Sequence, residues 1–193
     1  MIANLIHIDR LLFYFVNHEM ANPFFDWVMP FITNQWNWAI PILLIWAGML
    51  IIGNKKARIA ALLIFLTVSA TDPICARVLK PTFKRIRPSR SLEDTRLLVK
   101  KGGKYGFPSN HAANVTGAMM ILLYFFRRYK YAFASIALLI SYSRVYVGVH
   151  YPFDVCFGIL IGVLFAVFWI YVWIFVSNHL SKREKFYLTI SKE

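Results

Sequence analysis

Long apolar runs separated by short charged segments dominate the chain. Five stretches, Trp38–Gly53, Ile59–Leu79, Ala112–Phe126, Tyr131–Val149 and Phe153–Val176, are apolar over nearly their whole length. A helix needs ~20 such residues to cross a hydrocarbon core of ~30 Å. In lipid every backbone amide must be satisfied within its own segment, so each run predicts a membrane-spanning helix. Trp38–Gly53 and Ala112–Phe126 are short for a perpendicular crossing, which predicts ends that extend into neighbouring residues or a bilayer that adapts. The first 35 residues differ. Ile2–Val16 has apolar positions at helical spacing but is interrupted by His7, Asp9 and Arg10; Asn22-Pro23 breaks the chain, and Phe24–Thr33 is too short to span. This pattern predicts an amphipathic segment over residues 1–35 lying in the membrane interface, anchored by Phe13, Tyr14 and Trp27. A sixth, partly polar span is the alternative. The same charges exclude a cleavable signal peptide, whose apolar region is uninterrupted.

The expected fold is therefore all-α, a polytopic membrane helix bundle in a single domain over residues 1–193. Composition agrees: 59% of residues are hydrophobic, 17% are aromatic, and the mean hydropathy is +0.54. Charge adds a constraint, because 22 Lys and Arg face only 9 Asp and Glu. On a membrane protein such an excess points to anionic headgroups or a phosphate ligand; a nucleic-acid reader would not need this much apolar sequence. Cys75 and Cys156 lie in apolar runs with no CxxC and no Cys/His cluster, so a disulfide framework or zinc site is not expected, and both read as small buried hydrophobes.

The spans fix which loops share a side. Lys55, Lys56, Arg58, Arg127, Arg128, Lys130 and the tail residues Lys182, Arg183, Lys185 and Lys192 fall on one face. Loop 80–108 and the turn at 149–152 fall on the other. The second face is nearly as basic, so the positive-inside count decides nothing alone. If its cations serve a phosphate, they drop out of the count and the first face becomes cytoplasmic.

That second face carries the residues with chemistry. Lys80-Pro-Thr-Phe-Lys-Arg-Ile-Arg87-Pro88, Pro108-Ser109-Asn110-His111 and Ser143-Arg144 through His150 to Asp154 lie at the ends of spans. Phosphoryl transfer spreads negative charge over equatorial oxygens, so catalysis is mostly positioning and electrostatic stabilisation. Lys80, Arg87 and Arg144 can supply that charge, the arginines bidentately. Arg144 falls inside a membrane-length run, where an ionisable residue marks function unless it snorkels to the interface. Lys84, Arg85, Arg90 and the lysines at 100–104 read as a solvated basic loop. Ser109 suits the N-cap of the following helix, whose free N–H groups make an anion site. His111 in that first turn opposes the helix dipole unless a phosphate lies near. His150 and Asp154 pair as a nucleophilic imidazole and the carboxylate that fixes its tautomer. Thr71-Asp72-Pro73 interrupts the second span; it reads chiefly as a kink, with Asp72 able to cap a short helix starting at Pro73.

In these blocks the chain resembles the type 2 phosphatidic acid phosphatase family, whose signature is K-x6-RP, PSGH and SR-x5-H-x3-D. All three occur in order and with that spacing between Lys80 and Asp154. The resemblance implies that Lys80, Arg87, Ser109, Asn110 and Arg144 bind phosphate, that His111 is the general acid, and that His150 becomes a phosphohistidine oriented by Asp154. It also implies no metal and no cofactor. Asn110 replaces the family's Gly, adding a side chain where backbone approaches phosphate.

The function expected is removal of phosphate from an envelope lipid in the bacterial inner membrane, with the site facing the periplasm. Lipid A 1-phosphate, undecaprenyl pyrophosphate and phosphatidylglycerophosphate are the candidate substrates. The expected partners are that lipid and the bilayer, with no nucleic acid and no obligate protein. Two alternatives share the motif: a vanadium haloperoxidase-like enzyme, which the apolar spans oppose, and a non-catalytic lipid-phosphate binding protein or transporter, which would leave both histidines idle.

Overall fold

Residues 2–180 are described by the structure, a computed structural model, and they are almost entirely helical. Helix α1 (Ile2–Tyr14) runs into a π-helical turn at Phe15–Glu19, and α2 (Pro23–Thr33) follows. The long helices are α3 (Gln35–Ile51), α4 (Lys55–Pro73), α7 (Asn110–Phe125), α8 (Lys130–Tyr146) and α9 (Pro152–Leu180). These five overlap the five apolar runs: each starts slightly before its run, α9 also ends beyond its run, and α3, α4, α7 and α8 end before theirs do. Helix α4 continues through a π-helical turn, Ile74–Leu79, into the four-residue α5 (Lys80–Phe83), and a second four-residue helix, α6 (Pro88–Ser91), follows in the loop. The combined rod Lys55–Phe83 and the helix Pro152–His179 are each long and apolar enough to cross a bilayer; Gln35–Ile51 is a shorter apolar helix. Among the described residues the only extended pairing is an isolated bridge between Ile86 and Tyr105.

Local sequence explains the helix starts. Asn22, Asn34, Asn54 and Ser109 each sit at an N-cap with the side-chain oxygen accepting a backbone N–H of the first turn. The chain does not restart at Pro73. It stays helical through that residue and widens into the π-turn, so Asp72 caps nothing and is available for other partners. Gly148, at φ +85°, makes the turn that ends α8; a Cβ there would lie 2.5 Å from the Arg96 carbonyl.

Helix α7 is the centre of the bundle, packed against α4, α8 and α9. It meets α9 through small residues. A Cβ on Gly162 would stand 2.4 Å from the Ala113 carbonyl and 2.9 Å from the Gly117 nitrogen. One on Gly158 would stand 2.5 Å from the Ser109 carbonyl. Gly158-x3-Gly162 therefore lets two backbones touch, the device by which helices associate where lipid removes the hydrophobic drive. Below this contact, Ile59, Leu63, Ile121, Phe125 and Ile170 fill the bundle interior.

Three expectations are corrected. Phe13 is not an interfacial anchor: it is fully buried, edge-on to Tyr151 at 5.4 Å, because α1 packs on the bundle rather than floating beside it. Tyr14 is likewise tied down, its hydroxyl donating to Asp94 at 2.9 Å, whereas Trp27 is exposed as an anchor should be. Cys156 is exposed on the outer face of α9, while Cys75 is buried as expected. The basic tail residues 182–192 lie outside the described residues.

The α7–α9 contact generates a paired test. Gly162→Ala forces a methyl onto backbone and should cost about 1–3 kcal/mol, read as a lowered Tm of the detergent-solubilised protein. Gly48→Ala, on α3 with nothing within 4 Å of the added carbon, should leave Tm unchanged or slightly raised.

Candidate active site

The loops between α5 and α7, between α8 and α9, and the starts of α7 and α9 meet at one end of the bundle. The backbone N–H of Ser109 donates to the carbonyl of Asp154 at 2.9 Å, which ties the two helix starts together. This contact sets the separation between the Ser109–His111 turn and the His150–Asp154 pair.

His150 is buried, with its Nδ1 3.4 Å from Asp154 Oδ2 and its Nε2 2.8 Å from Arg87 Nη1. A guanidinium can only donate, so Nε2 must accept and the proton resides on Nδ1, facing Asp154. That tautomer leaves a lone pair on the ring nitrogen farther from the carboxylate. Burial above all, and then the charges of Arg87, Arg144, Lys80 and His111, hold the His150 pKa well below the ordinary imidazole value, so the ring stays neutral. Asp154 is fully buried and its Oδ2 also accepts the Tyr151 backbone N–H at 3.1 Å.

The cations converge on the same place. Arg87 is anchored by donation from Nη1 to the Val149 carbonyl at 2.9 Å, and its Nε is buried with no protein acceptor. Arg144 turns inward rather than snorkelling: Nη1 donates to Thr33 Oγ1 at 2.6 Å, and its Nε too is buried without an acceptor. Two buried donors left unpaired are costly unless an acceptor is supplied. A phosphoryl oxygen is the acceptor that two guanidinium groups suit. Lys80 Nζ donates to the carbonyls of Gly106 at 3.1 Å and Pro108. His111 lies partly buried in the first turn of α7, two residues after Ser109.

All eight residues singled out from the sequence are thus at one end of the fold, seven of them in this cluster. Asn110 stands apart. Its amide Nδ2 donates to Asp72 Oδ1 at 2.9 Å and to the Asp72 carbonyl at 3.2 Å, directing the side chain toward α4. Asn114 donates to the same carboxylate oxygen at 3.0 Å and accepts from Thr71 Oγ1 at 2.7 Å. The added side chain therefore bolts α7 to α4 and does not fill the cluster; what remains of Asn110 for an anion is its backbone N–H.

Several contributors were not visible in the sequence. Gly106 passes so close that a Cβ would lie 2.8 Å from Asp154 Oδ2. Thr33 holds Arg144 from the end of α2. Arg85, read as part of a solvated loop, instead donates Nη1 to Asp154 Oδ1 at 2.8 Å and pairs through Nη2 with buried Asp9. Lys84, Lys100, Lys101 and Lys104 are exposed as expected. Gly106 lies near a motif and Arg85 inside one, at a position the motif leaves unspecified; Thr33 and Asp9 meet the site through tertiary approach alone.

This geometry meets known proteins at the same residues. The sequence model of the PAP2 superfamily matches residues 61–178, which span all three motif blocks. A protein of Bacteroides thetaiotaomicron described as a lipid A 4'-phosphatase is 34% identical over 173 residues, covering 82% of this chain and 73% of its own. The crystal structure of Aquifex aeolicus LpxE superposes with a TM-score of 0.66 at 27% identity, over 85% of this chain and 95% of that one. That of a transmembrane PAP2-type phosphatidylglycerolphosphate phosphatase from Bacillus subtilis superposes with a TM-score of 0.70, covering 95% and 89%, and at 24% identity it speaks for the fold. With its helical bundle, its clustered histidines and arginines, and a family match over most of its length, this chain belongs to the PAP2 superfamily of membrane phosphatases.

Proposed function

We propose that the protein removes a phosphate from an envelope lipid by forming a phosphohistidine at His150. The observation that carries this reading is the tautomer: Asp154 at Nδ1 and a donor at Nε2 leave a neutral imidazole whose lone pair points into a cluster of cations. Arg87 Nη1 occupies that lone pair in the structure. A phosphoryl oxygen bound by Arg87 and Arg144 would draw the guanidinium off the ring and present phosphorus to Nε2. Attack forms the N–P bond and breaks the P–O bond to the lipid, while His111 gives its proton to the leaving oxygen. Asp154 holds Nδ1–H and balances the positive charge the ring acquires. Water then attacks the phosphohistidine, with His111 taking a proton, and inorganic phosphate leaves. Lys80, Arg87, Arg144 and the N–H groups opening α7 stabilise the equatorial charge that in other phosphatases falls to a metal.

The five long helices are read as spans, with α1 and α2 packed on the periplasmic end of the bundle and the site at the outer leaflet of the inner membrane. Thr33 beside Arg144 supports this, since α3 then leaves from the site's own side. The Bacteroides relative favours a lipid A phosphate as substrate. A phosphomonoester on a glucosamine lipid needs no headgroup domain, and among the described residues the longest loop region is 84–109.

Phosphate release from lipid A, undecaprenyl pyrophosphate and phosphatidylglycerophosphate, measured in EDTA, tests the function; release from none of them would end it. His111→Ala should separate the substrates. General acid catalysis is worth ~10²–10⁴-fold where the leaving group is an alkoxide. The loss should be larger on phosphatidylglycerophosphate than on undecaprenyl pyrophosphate, whose leaving phosphate needs the proton less. Equal losses would make His111 a phosphate ligand only.

Orientation is tested with single cysteines at Lys56 and Lys101 in a background lacking Cys156. An impermeant thiol reagent on spheroplasts should label position 101 and spare position 56. The reverse would place the site in the cytoplasm.

A further inference from the structure

Two carboxylates are buried at the site end of the bundle, and they share one cation. Asp9, from the third turn of α1, and Asp154, from the first turn of α9, are both fully buried. Arg85 bridges them, donating Nη1 to Asp154 Oδ1 at 2.8 Å and Nη2 to Asp9 Oδ2. The guanidinium is further fixed over the Tyr151 ring, 4.4 Å from its centroid. Asp9 has a second attachment, because its Oδ1 accepts the Phe153 backbone N–H at 2.9 Å. That amide is one of the unpaired donors at the start of α9, so α1 caps α9 from across the fold. Arg85 also accepts, through its carbonyl, the Gly106 N–H at 2.8 Å, which sets the strand of chain lying against Asp154.

Both oxygens of Asp154 are consequently held. Oδ1 is held by Arg85, and Oδ2 by the Tyr151 N–H and the His150 ring. A carboxylate free to rotate could not keep the imidazole aimed. The charges also sum in a useful way. Asp9, Arg85 and Asp154 together carry one net negative charge beside a neutral His150. When the ring takes up phosphorus at Nε2 while keeping its Nδ1 proton, it gains the positive charge that balances this cluster. Removing Arg85 would take from two buried carboxylates the cation they share.

We propose that Arg85 and Asp9 are positioning residues for the phosphohistidine step, and that α1 is part of the active site through Asp9 rather than a membrane anchor alone. The proposal rests on the phosphohistidine reading above. It assigns α1 a consequence that its sequence conceals: a polar residue in an amphipathic stretch acts on chemistry carried 145 positions later, at Asp154.

The test is a kinetic cycle on whichever lipid of the panel above the wild-type enzyme turns over fastest, with Tm recorded for every variant. Asp154→Asn is the reference. If it keeps wild-type kcat, the phosphohistidine reading fails and this proposal with it. If it loses kcat, the remaining variants judge the proposal alone. Arg85→Gln should lower kcat tenfold or more while leaving KM within about twofold, the signature of an interaction that matters after binding. Asp9→Asn, nearly isosteric and still able to accept from Phe153, should lower kcat in the same sense by a smaller factor without loss of Tm. Arg85→Gln combined with Asp154→Asn should be no slower than Asp154→Asn, because residues acting through one another are not additive. A rise in KM at constant kcat for Arg85→Gln would make Arg85 a phosphate ligand and overturn the proposal. Losses that multiply in the double variant, or wild-type kcat in Asp9→Asn, would overturn it too.

Discussion

Backbone contact between α7 and α9 is the constraint on which the site depends. Gly158 and Gly162 let α9 lie against Ser109, Ala113 and Gly117 with no side chain between. The close approach brings the Ser109 N–H to the Asp154 carbonyl, 2.9 Å away. His111 opens α7 and His150 sits in the turn that precedes α9, so this packing sets the distance between them. Water-soluble enzymes bury such geometry under a large apolar core. In lipid, where apolar side chains gain little by leaving the solvent, contact distance is the available means.

Charge is the second constraint. Arg87, Arg144 and Lys80 are drawn together at one end of the bundle, which is unfavourable without an anion to share. The protein meets part of that cost itself. Carbonyls of Gly106, Pro108 and Val149 and the Thr33 hydroxyl take some of the donors. The guanidinium Nε atoms of Arg87 and Arg144 are left over, and in the proposed mechanism they take the phosphoryl oxygens. Opposite them, Asp154 and its partners carry the compensating negative charge behind His150. In the proposed mechanism the imidazole, between a cationic front and an anionic back, becomes positive only when phosphorus arrives.

Much of this was legible in the sequence for a simple reason. Membrane helices announce themselves by length and apolarity, and all five long helices lie where the apolar runs predicted. The motif residues are legible because the chemistry requires particular side chains at short, fixed offsets: His150 and Asp154 are one helical turn apart, and Ser109 and His111 share one helix start. Arg85 and Asp9 have no such offset. They meet through packing between elements distant in the chain, and nothing local distinguishes Arg85 from the exposed lysines around it. Phe13 misled for the same reason, since an aromatic on an amphipathic helix reads alike whether it faces lipid or a neighbouring helix. Asn110 and Asp72 were each noticed alone; only the fold shows that they are partners.

The central claim is that phosphate passes through His150, and trapping the intermediate tests it most directly. Enzyme mixed with excess radiolabelled lipid phosphate should be quenched in alkali within one turnover and its membrane-embedded peptides mapped by mass spectrometry. Label should appear on the peptide containing His150, resist alkali and be released by acid. Single-turnover hydrolysis with no labelled protein, or label on any other residue, would contradict the account.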